Sequence, residues 1–343
     1  MLNIISPKEF LELSETIPII DVRSPGEYDI GRIPGALNIP IFNNEERAKV
    51  GTRYKQAGKD FAIQLGLEYV GPKLADFSKQ ARKLAKNNQL LVHCWRGGMR
   101  SQNMAWLFEL IGLKVFILAR GYKGYRAYIR EQLGNDISIR ILGGYTGSGK
   151  TDILKELENL GEQFVDLEGI AHHKGSAFGS IGESEQPTNE QFENNLAKEW
   201  LKLDTTKPVW LEDESITMGQ CGIPFALFKR MREAKVYQVV IPKKVREERL
   251  VKEYANGDNV ALKNALERIA RKLGGLRAQQ ALDALESGDF MTVADISLQY
   301  YDKAYGFGIA KRDDNSVLNI PIEKDEPAAT AKLLLEILRK EEE

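Results

Sequence analysis

The stretch Ile137–Gly161, ISIRILGGYTGSGKTDILKELENLG, decides how the second half of this chain folds: it reads as a strand, a glycine loop and a helix in succession. In that setting Gly144, four residues, and then Gly149, Lys150 and Thr151 match the phosphate-loop pattern. Successive backbone N–H groups and the helix N-terminus cradle phosphates in such a loop; Lys150 reaches terminal phosphate oxygens and Thr151 can ligate Mg²⁺. Gly144, Gly147, Ser148, Gly149, Lys150 and Thr151 are therefore the candidate phosphate-binding residues. Downstream, PVWLEDES (208–215) reads as a buried strand ending in carboxylates, where a Walker B acid is expected. Asp213 is the first choice for that acid and Glu212 the second.

Working outward, VYQVVIPKKVREERLVKEY (236–254) is a β-branched strand closed by Pro242 and followed by a helix carrying Arg246 and Arg249. Arginines so placed can close over a departing phosphate. LEGIAHHKGSAFGSIGE (167–183) is a glycine-rich loop with His172, His173 and Lys174 at its centre, read as a substrate-contacting loop. Adjacent histidines point apart and no cysteine is near, so no structural metal is expected there. From 261 to 302 the chain reads as helices broken at Gly274 and Gly275, a helical appendage, and a last helix spans about 326–339.

The first half turns on LLVHCWRGGMRS (90–101), an apolar strand that ends at Cys94 and passes through glycines toward Arg100. Amides freed by Gly97 and Gly98 converge on one point, Arg96 and Arg100 add positive charge, and Ser101 is expected to cap the following helix. Such a loop holds an oxyanion and favours a thiolate. Around it, IPIIDVRS (17–24) reads as a strand, PGEYDIGRIPGALNIP (25–40) as a loop, 72–87 as a helix, 89–93 as a strand, 101–111 as a helix and KVFILARG (114–121) as a strand. Alternating strands and helices give a parallel sheet with right-handed crossovers and an active site at the strands' carboxyl ends, where Cys94 falls. The chain is expected to divide into residues 1–134 and 135–343.

At 343 residues, 43% hydrophobic and 28% charged, the composition is that of a soluble globular protein of about two domains. Two distant cysteines, Cys94 and Cys221, exclude a disulfide framework, and Cys221 is expected to be a structural thiol. No signal pattern and no apolar run of membrane length is present, so a cytoplasmic protein without membrane contact is expected. A net charge of −1 hides asymmetry: 79–130 carries eleven Lys/Arg against one acid, and 229–277 fourteen against six. Such basic segments suit a polyanion.

With Cys94's loop in place, the first domain resembles the rhodanese fold, since DVRSPGEYDIGRIPGALNIP (21–40) looks like that superfamily's early signature, with Arg32 where a histidine is common. Five residues separate Cys94 from Arg100, where rhodaneses usually have four. Five is the spacing of rhodanese-fold phosphatases and arsenate reductases, and implies a phosphate-sized anion. One reading is therefore a phosphatase or arsenate-reductase-like enzyme with a regulatory nucleotide-binding domain, although no general acid is identifiable. Another is a nucleotide-switched RNA-binding module.

The succession HCWRGGMRS, GGYTGSGKT and LEGIAHHKGSAFGS over essentially the whole chain more closely resembles the bacterial tRNA 2-selenouridine synthases. The resemblance implies an N-terminal rhodanese-like parallel-sheet domain followed by a P-loop NTPase-like α/β domain with a helical C-terminal extension. It implies replacement of sulfur by selenium in wobble 2-thiouridine of tRNA from selenophosphate, by way of an S-geranylated base made from geranyl diphosphate. A selenophosphate-supplying enzyme is an implied partner. On this reading Cys94 takes selenium as a perselenide or handles the substituted base, while Arg96, Gly97, Gly98 and Arg100 hold selenophosphate. The phosphate loop takes geranyl diphosphate or a nucleotide, with Mg²⁺ and no tightly bound cofactor. Phe178, Phe225 and Phe228 are the candidates for an apolar channel.

Overall fold

The structure is a computed structural model that describes residues 2–254 and 258–342, and the chain divides into two compact units, Met1–Gln132 and Leu133–Glu343. In the first, β1 (Asn3–Ile5), β2 (Ile19–Asp21), β3 (Leu37–Asn38), β4 (Gln89–His93) and β5 (Lys114–Leu118) form one sheet. Their order is β1-β5-β4-β2-β3, and every pairing is parallel. A parallel sheet is covered on both faces, which is why the middle of β4, Leu90, Leu91 and Val92, is an unbroken apolar run and all three are buried. From β2 the chain winds out to β3 and then back past β2 to the central β4 and on to β5, so the direction of winding reverses between β2 and β4, where the loop after β4 opens.

The segment 25–40, expected to be a loop, instead begins with the helix Pro25–Ile30. Ser24 and Glu27 close a capping box around it and Pro25 starts the helix. Glycine and proline dominate the composition here, but the cap spacing decides the local structure. The helix expected over 72–87 runs from Leu74 to Leu84, burying Phe77 and Ala81.

The second unit has a five-stranded sheet of β6 (Ile139–Gly144), β7 (Gln163–Phe164), β8 (Val209–Glu212), β11 (Lys235–Val240) and β12 (Val317–Pro321). A small antiparallel hairpin, β9 (Thr217–Met218) with β10 (Cys221–Gly222), lies between β8 and β11 in the chain. The large sheet runs β12-β11-β6-β8-β7, all parallel, with β6 central. The helix Lys150–Asn159 buries Ile153, Leu154 and Leu157 in a cluster with Trp210, Tyr237 and, from the helix Pro327–Glu342, Ala331, Leu334 and Leu338.

Between β11 and β12 the described residues leave the sheet as four α-helices, Lys243–Tyr254, Asn259–Leu273, Gly275–Ser287 and Phe290–Ile309. The last three form a separate core of Leu262, Leu266, Ile269, Leu285, Val293 and Ile296. The appendage is thus an excursion between two neighbouring strands. Among the described residues no helix is long and apolar enough to cross a membrane.

Candidate functional site

In the first unit Cys94 follows β4 and is 3% exposed. Its carbonyl accepts the Tyr122 N–H at 2.8 Å, and the Trp95 carbonyl accepts the Lys123 N–H at 3.0 Å. These bonds tie two of the loop's carbonyl oxygens back to the helix Gly121–Gln132. Gly97 is required there: its φ is +67°, and a Cβ would lie 2.8 Å from the Leu118 carbonyl oxygen. The helix Met99–Leu110 starts at Gly98 with no side-chain cap.

Ser101 is therefore not the cap expected of it. It sits inside the first turn, donates to the Gly98 carbonyl at 3.1 Å and lies 3.2 Å from Cys94 Sγ. With the hydroxyl proton on Gly98 the thiol donates to Ser101; when the thiolate forms, the same hydroxyl can rotate to donate to sulfur. A cavity of about 380 Å³ opens over the loop, lined by Arg47, Cys94, Trp95, Arg96, Gly98, Met99 and Arg100.

Arg100 is held by Glu27 through Nη1 at 2.6 Å and Nη2 at 3.3 Å, and Arg47 lies 3.5 Å from the same carboxylate. Burial raises the Glu27 pKa, but the hydrogen bonds and charge of Arg100, with Arg47, outweigh it and hold the carboxyl below its ordinary value. A carboxylate so held is a poor general acid for a phosphatase-type step. Beneath the loop, His93 is buried 3.6 Å from Asp21, and burial lowers its pKa. Arg23 pairs with Asp21 at 2.6 Å and stacks 3.9 Å from the Tyr122 ring centroid.

In the second unit Gly149 caps the helix Lys150–Asn159, and the loop after β6 lines a cavity of about 1110 Å³. Lys150 Nζ donates to the Gly144 carbonyl at 3.4 Å. Burial disfavours its charge, yet Glu214, Glu168, Glu212 and Asp213 together raise its pKa. Of the two candidate acids it is Glu212 that meets Thr151, accepting its hydroxyl at 2.6 Å, with Glu168 a longer acceptor at 3.4 Å. The ranking of Asp213 over Glu212 is thereby reversed in space. Asp213 turns away, accepting from Arg312 at 2.6 Å and from the Tyr305 hydroxyl at 3.0 Å.

Glu168 and Glu214, which the sequence did not single out, join Glu212: one oxygen of each lies within 4.8 Å of the others. Burial and mutual repulsion push Glu212 and Glu168 to about 8 and Glu214 to about 7. Glu212 Oε2 is buried with no hydrogen-bond partner.

Arg246 is not a closing arm. It is 4% exposed, pairs with Asp302 at 2.8 Å and donates to the Thr146 carbonyl at 3.1 Å, which fixes the phosphate loop from behind. Arg249 lines the cavity but is held by Asp325 at 2.8 Å and by Asp152. Lys174 also lines the cavity, with Glu183 at 3.5 Å and Glu253 at 3.7 Å. The segment expected to be a loop opens with a short helix, Leu167–Ala171, which His172 closes in a left-handed conformation, meeting Ser184 and the Glu185 carbonyl, each at 2.8 Å. His173 is buried, and burial lowers its pKa.

Away from the phosphate loop the same cavity is walled by Phe178, Leu262, Ile269, Phe290, Val293 and Tyr301. Phe178 and Phe228 line it; Phe225 does not, being 74% exposed at the start of its helix. Cys221 is a buried free thiol pushed up to about 11 by burial, as a structural residue would be.

The profile described as the tRNA 2-selenouridine synthase AAA domain matches residues 137–326, and the rhodanese-like domain profile matches residues 6–128. The chain is 34% identical to the tRNA 2-selenouridine synthase of Bdellovibrio bacteriovorus, over 92% of this chain and 94% of that protein. It is 33% identical to that of Bordetella petrii, over 85% and 86%. The corresponding protein of Shewanella pealeana is 34% identical, over 86% of this chain and 89% of its own length.

Proposed function

Because this chain belongs to the tRNA 2-selenouridine synthase family, we propose that it is a tRNA-modifying enzyme that exchanges sulfur for selenium at a wobble 2-thiouridine in two stages. In the first, the thiouridine sulfur attacks C1 of geranyl diphosphate. The C1–O bond breaks, diphosphate leaves with the electron pair, and the N3 proton is lost to solvent. In the second, C2 of the alkylated base is substituted and geranylthiolate departs more readily than sulfur would from a thiocarbonyl.

One observation carries the first stage: the phosphate loop and the apolar wall of Phe178, Leu262, Ile269, Phe290 and Val293 belong to a single cavity of about 1110 Å³. An anion cradle continuous with an apolar chamber suits a diphosphate with a hydrocarbon tail better than a nucleotide with a polar sugar. The residues present also fit Mg²⁺: Thr151, Glu212, Glu168 and Glu214 offer only oxygen, and Glu212 Oε2 is a buried acceptor without a donor. When bound, the ion supplies charge to the diphosphate leaving group. Lys150 and the loop amides orient the diphosphate, and the apolar wall excludes water from the allylic carbon.

For the second stage, Arg47, Arg96, Arg100 and the start of the helix Met99–Leu110 hold selenophosphate beside Cys94. Of the two roles open to Cys94, the redox-neutral one is addition to C2. Its thiolate displaces geranylthiolate; selenium of selenophosphate then attacks C2, the thiolate returns, and water takes the phosphoryl group as phosphate. A perselenide would instead have to leave phosphite. The exposed basic residues of 79–130 and 229–277 give the tRNA backbone its counter-charge, so binding weakens steeply with salt.

The test is to incubate the protein with thiolated tRNA, geranyl diphosphate, selenophosphate and Mg²⁺, then digest the tRNA and weigh its nucleosides. Geranylated and selenated uridines are expected. Lys150→Ala should abolish geranylation, whereas Cys94→Ser should block selenation and leave geranylation in part. Neither product forming while the tRNA is bound would refute the reading.

A further inference from the structure

The sequence singled out Asp213, yet no step above uses it. Its surroundings explain why an acid is buried there. The Gly144 N–H, at the first glycine of the phosphate loop, donates to the Tyr305 hydroxyl at 2.9 Å. That hydroxyl donates onward to Asp213 Oδ2 at 3.0 Å, and Asp213 Oδ1 is fixed by Arg312 at 2.6 Å, with Arg232 at 3.7 Å. Tyr305 also packs edge-on against Tyr145, ring centroids 5.2 Å apart.

The approach needs Gly143, because a Cβ at that position would stand 2.9 Å from the Tyr305 oxygen and 2.6 Å from Val236. One glycine of the loop therefore makes room for a tyrosine that binds the next. Gly144 is held on both sides: its N–H by Tyr305 and its carbonyl by Lys150.

Tyr305 lies on the helix Phe290–Ile309. The first turns of that helix supply Phe290, Val293 and Ala294 to the apolar wall of the cavity. Near its other end Asp302 makes a second tie to the loop, through Arg246 to the Thr146 carbonyl. A single helix thus lines the hydrocarbon end of the cavity and anchors the phosphate end at two points.

We propose that Tyr305 is a positioning residue for diphosphate binding: held by Asp213, it sets the orientation of Gly144 and hence of the amides and Lys150 that meet the phosphates. The inference rests on the phosphate loop being a diphosphate cradle, as in the reading above, but not on the identity of the hydrocarbon. Tyr305 is among the residues that line the cavity, and the role assigned to it runs through its hydroxyl's bond to Gly144. Removing its hydroxyl leaves a backbone N–H and a carboxylate oxygen without their partner, while the ring and the apolar wall stay in place.

The test uses the full chain, wild type and Tyr305→Phe, with two probes: inorganic pyrophosphate with Mg²⁺ for the loop, and n-decanol for the chamber, each measured by calorimetry. Pyrophosphate affinity should fall about tenfold in the variant because, of the two hydrogen bonds lost, the one to Gly144 is the one that orients the loop. Decanol affinity should stay within about twofold, because the ring and wall are unchanged. A variant that loses both affinities to the same extent has a disrupted helix, and unchanged pyrophosphate binding means the hydroxyl positions nothing. Either result overturns the proposal, as does a wild type that fails to bind pyrophosphate. A wild type that binds pyrophosphate but never geranylates tRNA would sink the functional reading while leaving Tyr305's role intact. Tyr305→His, which restores a polar group at the wrong reach, should not recover pyrophosphate binding.

Discussion

Replacing Glu212 by glutamine should stabilise the second unit, and increasingly so as pH rises. Glu212 is fully buried, accepts from Thr151 with one oxygen and has no partner for the other. Burial first, and then the neighbouring Glu168 charge, lift its pKa to about 8 from an ordinary 4.5. The sign follows from proton binding. Below the ordinary value both folded and unfolded chains hold the proton, and the carboxyl is neutral in each.

Between the two values the unfolded chain releases its proton and the folded chain keeps it. Folding is then opposed by about 1.4 kcal/mol for each pH unit. From about pH 5 to about pH 7 this makes about 3 kcal/mol for an isolated group, and sharing protons with Glu168 and Glu214 reduces it to about 1–2 kcal/mol. Glutamine carries no such penalty and still accepts from Thr151. The assay is urea unfolding of wild type and Glu212→Gln at about pH 5 and about pH 7, with divalent cations chelated, and the quantity is the difference between the two proteins. A difference that is the same at both pH values, or that shrinks as pH rises, would refute the reasoning.

Other outcomes follow from the same contacts. Gly97→Ala forces a left-handed backbone onto alanine and pushes its Cβ against the Leu118 carbonyl, so the first unit should lose about 2–4 kcal/mol in thermal unfolding. Glu27→Gln frees Arg100 and Arg47 from a carboxylate and should tighten phosphate-type anions over Cys94 severalfold, read by protection of the thiol from alkylation. Val293→Trp fills the apolar wall and should abolish decanol binding while leaving pyrophosphate binding within about twofold, measured by calorimetry.

Both loops that carry the proposed chemistry were legible because each is a local pattern: a strand, then glycines and charges at set spacing, then a helix. Cys94 through Ser101 and Gly144 through Thr151 lie within eight residues of chain, so spacing alone defines each loop. The partners were not legible. Arg100 meets Glu27 across 73 residues, Thr151 meets Glu212 across 61, and Gly144 meets Tyr305 across 161. Nothing in a run of residues records which distant side chain the sheet order will bring alongside. Glu27 did leave a trace, since Ser24 and Glu27 have capping-box spacing. Asp213 and Glu212 show the other limit: adjacent residues at a strand end point to opposite sides, and only the finished sheet decides which one faces the loop.

The excursion of helices between β11 and β12 also bears on the order in which the chain can acquire its two sites during synthesis. All five strands around Cys94 are complete by Leu118, so the sheet that presents the thiol can close while most of the second unit is still unmade. The phosphate loop has no such independence. Its helix is packed by Ala331, Leu334 and Leu338, and β12 joins the sheet only at Val317–Pro321, so residues emerging late from the ribosome finish a cradle whose glycines were translated early. A nascent chain halted before Val317 would then display the thiol loop on a folded sheet while its phosphate loop had no support behind it.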